Sequence, residues 1–441
     1  MTDPAERGLP SRTAARTAKL ASLPLGIAGR AVGGWGRRLA GRDADEINAD
    51  LQAKAAEQLF EVLGTLKGGA MKFGQALSVF EAAIPDEQAA PYREALTKLQ
   101  SAAPPMPAKQ THRVLAGQLG AGWPERFAEF SDEPAAAASI GQVHRAVWHD
   151  GREVAVKVQY PGADEALRSD LRQLMRFSRL FQALAPGTEV KPLLAELSAR
   201  MNEELDYRGE ADFQRAFAAA FDADPHFVVP KVVASSPKVV VTEWITGTPL
   251  AKIIAAGDQE ARNAAGRLLI EFHYSSPARV KLMHSDPHPG NFMLTDDGRM
   301  CVIDYGAVAR LPQGIPRGLG EITRLALDGN PTELMRVMRD HRFISTDSSV
   351  DPADVLDYLA PFTEPLAADR FRFNRRWLQK QAARVGDVGG KDFRTARSLN
   401  LPAEYLLIHR TTAGNTGILC QLDADIEVRG IAERWIPGFA G

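Results

Sequence analysis

The sequence predicts an α+β fold: a two-lobed body, strand-rich in its first part and helix-rich in its second, with an added helical region at the N-terminus. Three observations predict it. Leu63, Leu66, Ala70, Phe73, Leu77, Phe80 and Ile84 recur at alternating spacings of three and four, one face of a helix or helix pair that Pro85 limits. The period then changes, and Phe127–Phe130, Gln142–Trp148 and Glu153–Gln159 read as strands, with His149-Asp150-Gly151-Arg152 as a hairpin turn. After Gly247-Thr248-Pro249 the chain reads as helix to its end. One short hairpin interrupts it: Phe292–Leu294, the Asp297-Gly298 turn, then Met300–Ile303.

The elements between follow in order. Ser101–Pro107 is a Pro-rich break, and a helix follows near Lys109–Leu119. Helical text runs from Ala163 to Ala185 and from Lys191 to Phe221. Val228–Val233 and Lys238–Glu243 are β-branched strands around Ser235-Ser236-Pro237. The expected organisation is a basic segment over 1–42, a helical extension over 43–120, a strand-rich lobe over 121–245 and a helical lobe over 246–441.

The chain has 441 residues, 45 % of them hydrophobic and 24 % charged, which excludes disordered and collagen-like classes for its bulk. Cys301 and Cys420 are its two cysteines and match no disulfide framework or zinc spacing, which fits a reducing compartment. The net charge of −2 hides an asymmetry. Arg7, Arg12, Arg16, Lys19, Arg30, Arg37, Arg38 and Arg42 face only two acidic residues within 1–42. No apolar run reaches the roughly 18 residues of a membrane-spanning helix. The longest candidate, Leu20–Gly29, contains Pro24 and lies between Lys19 and Arg30. The basic start reads as an organellar transit peptide, a segment lying on an anionic membrane, or a basic tail.

The strongest chemical signal is His284-Ser-Asp286-Pro-His288-Pro-Gly-Asn291, followed by Ile303-Asp304-Tyr305-Gly306. Asp286 and Asn291 have the H-x-D-x-x-x-x-N spacing of a phosphoryl-transfer loop, in which one Asp orients the acceptor while an Asn and a second Asp hold Mg²⁺. Val154-Ala-Val-Lys157 matches the strand that carries a phosphate-binding lysine. Upstream, Ala136-Ala137-Ala138-Ser139-Ile140-Gly141-Gln142-Val143 aligns with a nucleotide loop, with Ala136 and Ala138 where glycines usually stand; read alone, the alanine run favours a helix. Glu204-Leu-Asp206-Tyr-Arg-Gly-Glu210 reads as a helix offering Glu210 to Lys157, or as a solvated acidic face. Lys72-Phe-Gly-Gln75 places Lys72 and Gln75 on one helix flank, and read alone it is a surface pair. Glu243-Trp244-Ile245 is a strand end in the place of an interlobe hinge, whose backbone would read adenine. Arg370, Arg372, Arg375 and Arg376, interleaved with Phe371, Phe373 and Trp377, fit a solvated helix face better than a nucleic-acid surface.

Together these residues resemble the UbiB/AarF family of atypical, protein-kinase-like proteins, over roughly Leu66 to Val308. The signatures are Lys72-x-Gly-Gln75, the Ala-rich loop with Ser139, Glu204-x-Asp206 and His284-x-Asp286-Pro-His-Pro-Gly-Asn291. The resemblance implies a two-lobed protein-kinase-like fold whose N-terminal helical extension, carrying Lys72 and Gln75, covers the active site. It implies ATP and Mg²⁺ as cofactors and a link to isoprenoid quinone biosynthesis and lipid homeostasis. Carried across, Lys157 contacts phosphate and pairs with Glu210, Glu204 engages Lys72, Asp286 is the catalytic-loop aspartate, and Asn291 and Asp304 hold Mg²⁺. Ala136, Ala137, Ala138, Ser139, Gly141, Val143, Glu243 and Ile245 line the nucleotide, and Asp206 joins the covering set. Tyr305 departs from the usual Phe and brings a hydroxyl that needs a partner.

The expected function is an atypical kinase or ATPase regulating isoprenoid quinone or lipid metabolism, located in the cytoplasm and peripheral at the inner face of the membrane. Its partners would be adenine nucleotide, an anionic membrane surface, and isoprenoid lipid or lipid-biosynthesis proteins, with no nucleic acid. Two alternatives share its motifs: a small-molecule phosphotransferase of the aminoglycoside or choline kinase type, and a nucleotide-gated lipid-binding scaffold without turnover.

Overall fold

The computed structural model describes residues 105–138, 140–165, 205–386 and 389–440. The chain divides into two compact units. The described part of the first is 105–165, 205–209 and 232–244; that of the second is 210–231 and 245–440.

The first unit is built on strands β1 (Phe127–Ala138), β2 (Gly141–Trp148) and β3 (Glu153–Gln159), joined later in the chain by β5 (Val232–Ser236) and β6 (Val239–Glu243). They form one antiparallel sheet in the order β1-β2-β3-β6-β5. Side chains alternate across it. Val154, Val156, Val158, Val239 and Val241 point to one face and are buried with Leu115 and Leu119 of helix α1 (Ala108–Leu119). Lys157 therefore belongs to the opposite face. Val143, its partner in the β2–β3 register, shares that face, while Gln142 and His144 turn toward α1.

Two expectations fail here. The alanine run is strand, not helix: Ala136, Ala137 and Ala138 pair with Val143, Gln142 and Gly141. Cross-strand hydrogen bonding to β2 overrides the helix propensity of alanine. β1 is an edge strand, and register shifts on both sides of Pro134 let it accept a residue that cannot donate to the ladder. Similarly, Val228–Val233 is not one strand. Pro230 interrupts it, its carbonyl taken by Gln214 Nε2 at 2.6 Å, so β4 (Phe227–Val228) and β5 join different sheets.

The second unit is organised around a 22-residue helix, α4 (Gln259–Val280), capped by Asp258 accepting from the Ala261 amide. Leu268, Leu269 and Phe272 of α4 are buried with Phe217 of α2 (Tyr207–Ala220), with Phe221 just after it, and with Phe292, Val302 and Tyr305. Ile418, Leu419 and Leu422 of α10 (Ala403–Leu422) close the same core. Four short strands support the motif loops. β9 (Phe292–Leu294) and β10 (Met300–Val302) form the expected hairpin, and β8 (Leu282–His284) pairs with β11 (Val308–Arg310). Glu271 is almost fully buried and accepts from both Arg267 and Arg434, at 3.0 Å each, so neither end of its carboxylate is left uncompensated.

Two arginines of the basic cluster are paired with carboxylates. Arg370 and Arg372 are held by Asp425 and Asp423, while Phe371, Phe373 and Trp377 pack edge to face on one another.

Candidate active site

In the second unit, β8 ends at His284 and delivers the chain into a tight loop. The Ser285 amide donates to the Ala307 carbonyl at 3.0 Å, and the His288 amide to the Asp286 carbonyl at 2.8 Å. A single 3₁₀ turn, Pro289–Asn291, follows. Within it the Asn291 amide donates to the His288 carbonyl (2.9 Å) and Asn291 Nδ2 to the Asp286 carbonyl (3.0 Å). That second bond fixes the carboxamide, because Nδ2 alone can donate; Oδ1 is thereby left as a ligand-capable oxygen. The β9–β10 hairpin returns the chain to this loop, with the Ile303 amide donating to the Asn291 carbonyl at 3.0 Å. Asp304 is thus brought to Asn291 through the backbone.

Asp304 is held from two directions. Its Oδ1 accepts from the Gly306 amide at 2.8 Å, and its carbonyl accepts from His284 Nε2 at 2.6 Å. A carbonyl can only accept, so Nε2 of His284 carries the proton. Sequence reasoning quoted His284 without a role; its part is to couple the two motif segments. Behind it lies an aromatic stack. Tyr305 is fully buried, 4.9 Å from the Phe217 ring and edge-on to His284 at 5.7 Å. Burial pushes its phenol well above the ordinary range, so the hydroxyl stays protonated, and it has no hydrogen-bond partner among the described residues. His273 of α4 is also buried, 5.9 Å from His284, with Nδ1 donating to the Leu269 carbonyl. Burial, together with the neighbouring ring, lowers it to about 3, so it is neutral.

The donor set suits a hard divalent cation. Asp304 and the oriented Asn291 carboxamide offer oxygen only, and Mg²⁺ is ordinarily held by one or two protein oxygens plus phosphate and water. Among the described residues there is no cluster of three or more His, Cys, Asp or Glu that would form an all-protein cage.

Helix α10 supports the loop from outside the motif. Gly414 faces Pro287 so closely that a Cβ there would lie 2.3 Å from the proline Cγ. Thr411 and Asn415, one turn apart on the same helix, are both buried. Sequence reasoning missed this contact, since a polar stretch in a helix reads as a solvated face.

In the first unit, Lys157 lies on a central strand and its Nζ sits 5.0 Å from the centre of the Tyr207 ring. Gly141 closes the alanine turn where only glycine fits, because a Cβ would meet the Val158 carbonyl oxygen at 2.3 Å. Glu243 pairs with Val154, and the Trp244 amide donates to the Glu153 carbonyl at 3.0 Å, so the strand end is ordered up to the division between the units. Ile245 is the first residue of the second unit at that point.

Glu210 is buried in the first turn of α2 and belongs to the second unit, Lys157 to the first. Asp206 precedes α2 rather than riding on it. It accepts from the Arg208 amide and guanidinium, and that guanidinium holds its carboxyl below the usual range. Lys72, Gln75, Ser139 and Glu204 lie outside the described residues.

Comparison with known proteins gives a consistent result. A family model described as the ABC1 atypical kinase-like domain matches residues 98–338. Over 97 % of its length the chain is 29 % identical to the mitochondrial atypical kinase COQ8B of Danio rerio, spanning 69 % of that protein. It is 30 % identical to the Rattus norvegicus COQ8B over 66 % of this chain and spans about half of that relative, 55 %. Among solved structures, the complex of Rv3197 with erythromycin from Mycobacterium tuberculosis is 52 % identical, with a TM-score of 0.71, covering 90 % of this chain and all of that one.

Proposed function

The chain belongs to the ABC1 atypical kinase-like family, of the UbiB/COQ8 type linked to coenzyme Q biosynthesis, and has its kinase-like fold; on that premise we propose that it is an Mg²⁺-dependent ATPase or kinase acting on isoprenoid-lipid metabolism at a membrane surface. The observation that carries this is the loop in which His284, Asp286, Asn291 and Asp304 are locked together by backbone and side-chain hydrogen bonds.

Bound Mg²⁺ would supply charge neutralisation at the transferred phosphoryl group. Asn291 Oδ1 and the Asp304 carboxylate are the oxygens assigned to it. Asp286 orients the attacking hydroxyl or water and takes its proton. Lys157 supplies positive charge to phosphate oxygens, and the strand ends Ala136–Ala138 and Gly141 approach them through the backbone. None of Ala136–Ala138 has positive φ; they are paired strand residues, unlike glycines free to turn left-handed.

The basic residues of 1–42 are the assigned lipid contact, since each basic side chain near an anionic surface contributes about 1 kcal/mol. Among the described residues no helix is long and apolar enough to cross a membrane. The test compares ATP hydrolysis by the full chain and by a chain starting at Asp43, with and without anionic liposomes. The full chain should hydrolyse ATP faster on liposomes, and the shortened chain should lose that increase while retaining ATP binding. Zero turnover with tight ATP binding would favour the scaffold alternative, and stoichiometric phosphorylation of a soluble alcohol the small-molecule phosphotransferase. A second reading, binding of a macrolide-like macrocycle, is supported by the erythromycin complex of the 52 % identical neighbour. Equilibrium dialysis with erythromycin tests it.

A further inference from the structure

The α1-facing side of the β1–β2 hairpin carries a buried polar relay that the catalytic motifs do not use. Gln142 and His144 are 1 % and 0 % exposed. Gln142 Oε1 accepts from the Met106 amide at 2.7 Å, and its Nε2 donates back to the Met106 carbonyl at 3.3 Å, the pattern of a strand partner. The same Nε2 lies 3.3 Å from Thr111 Oγ1 and 2.9 Å from His144 Nε2. His144 Nδ1 donates to the Ser131 carbonyl at 2.7 Å, and Phe130 stacks on the ring at 5.1 Å.

The polarity of this relay is fixed. Ser131 presents a carbonyl, so Nδ1 carries the proton, and Nε2 must accept from Gln142. A protonated His144 would turn an N–H toward the Gln142 amide nitrogen. Rotating the amide would only move the conflict to Met106, whose N–H would then face an NH₂ group. The relay therefore requires a neutral imidazole. Burial lowers His144 from its usual value, opposed by the Ser131 carbonyl and by Asp132; His112, whose Nε2 lies 2.6 Å from Asp132 Oδ1, adds to the lowering.

Gln142 is also the cross-strand partner of Ala137, in the middle of the alanine turn. We propose that Gln142 is a positioning residue for that turn, bracing it to the chain that enters α1 through a relay that holds only while His144 is neutral. This rests on the reading of Ala136–Ala138 as a nucleotide turn. The brace joins Met106 to the hairpin on the side away from Lys157.

Amide hydrogen exchange on the full chain tests the brace without nucleotide, with ATP kinetics in parallel. Gln142→Leu should accelerate exchange at both the Met106 amide and 136–141, and raise the KM for ATP roughly ten-fold with little change in kcat. Thr111→Val, which removes only one of the two 3.3 Å contacts of the relay, should change neither. In the wild type, protection at 136–141 should fall as pH drops below about 6.5, the ordinary imidazole value. Gln142→Glu should retain protection at low pH, because a carboxylate accepts from both the Met106 amide and a protonated His144. A fold-wide structural role would not reverse the pH dependence in this way. Unchanged exchange at 136–141 in Gln142→Leu, or the same pH response in Gln142→Glu as in the wild type, would overturn the brace. Absence of ATP binding in the wild type would overturn the nucleotide reading alone, since the exchange experiment stands without it.

Discussion

At the scale of single residues, the site depends on atoms whose roles are set by what their neighbours cannot do. The Asp304 carbonyl cannot donate, so it fixes the His284 tautomer; the Asp286 carbonyl likewise fixes the Asn291 carboxamide. Tyr305 is the exception. Its ring packs between Phe217 and His284, but its hydroxyl is buried without a partner among the described residues. An unpaired buried hydroxyl costs about 1–3 kcal/mol. Tyr305→Phe should therefore leave the melting temperature unchanged or raise it by a few degrees, with Mg-ATP affinity unaltered; a lower melting temperature would show that the hydroxyl is bonded. The motif residues were legible because their spacing is a chemical requirement. The hydroxyl's isolation was not, since it depends on side chains of α2 and β8, far away in sequence.

At the scale of elements, the central strands were legible from their β-branched alternation, because Val154, Val156 and Val158 must all face α1. The alanine turn was not. Alanine carries no strand signal of its own, and its pairing is imposed by β2. Nor was the support from α10, where a helix lies against the catalytic loop through Gly414 and Pro287. Gly414→Ala places a methyl carbon inside the contact distance of a rigid ring, which costs about 1–3 kcal/mol when the neighbour must move. The variant should melt lower, and its kcat should fall by more than that of Gly430→Ala, in the first turn of the helix Arg429–Trp435, where only the Glu427 carboxylate is in the way. Equal kcat in the two variants would show that the α10 contact does not position Pro287.

At the scale of the whole molecule, a net charge of −2 gave no hint of a nucleotide, and it does not need to. The candidate groups are few: one lysine on a central strand of the first unit and, in the second, three oxygen-bearing side chains in one loop system. A ligand that binds only the folded chain stabilises all of it, by about 2.7 kcal/mol at a hundred-fold excess over Kd. The most direct measurement is therefore the thermal transition of the full chain with ATP, with and without Mg²⁺, compared with Asp304→Asn. Mg-ATP should raise the wild-type transition by several degrees and leave that of Asp304→Asn where it stands without ligand. An equal Mg-dependent rise in both proteins would contradict the account.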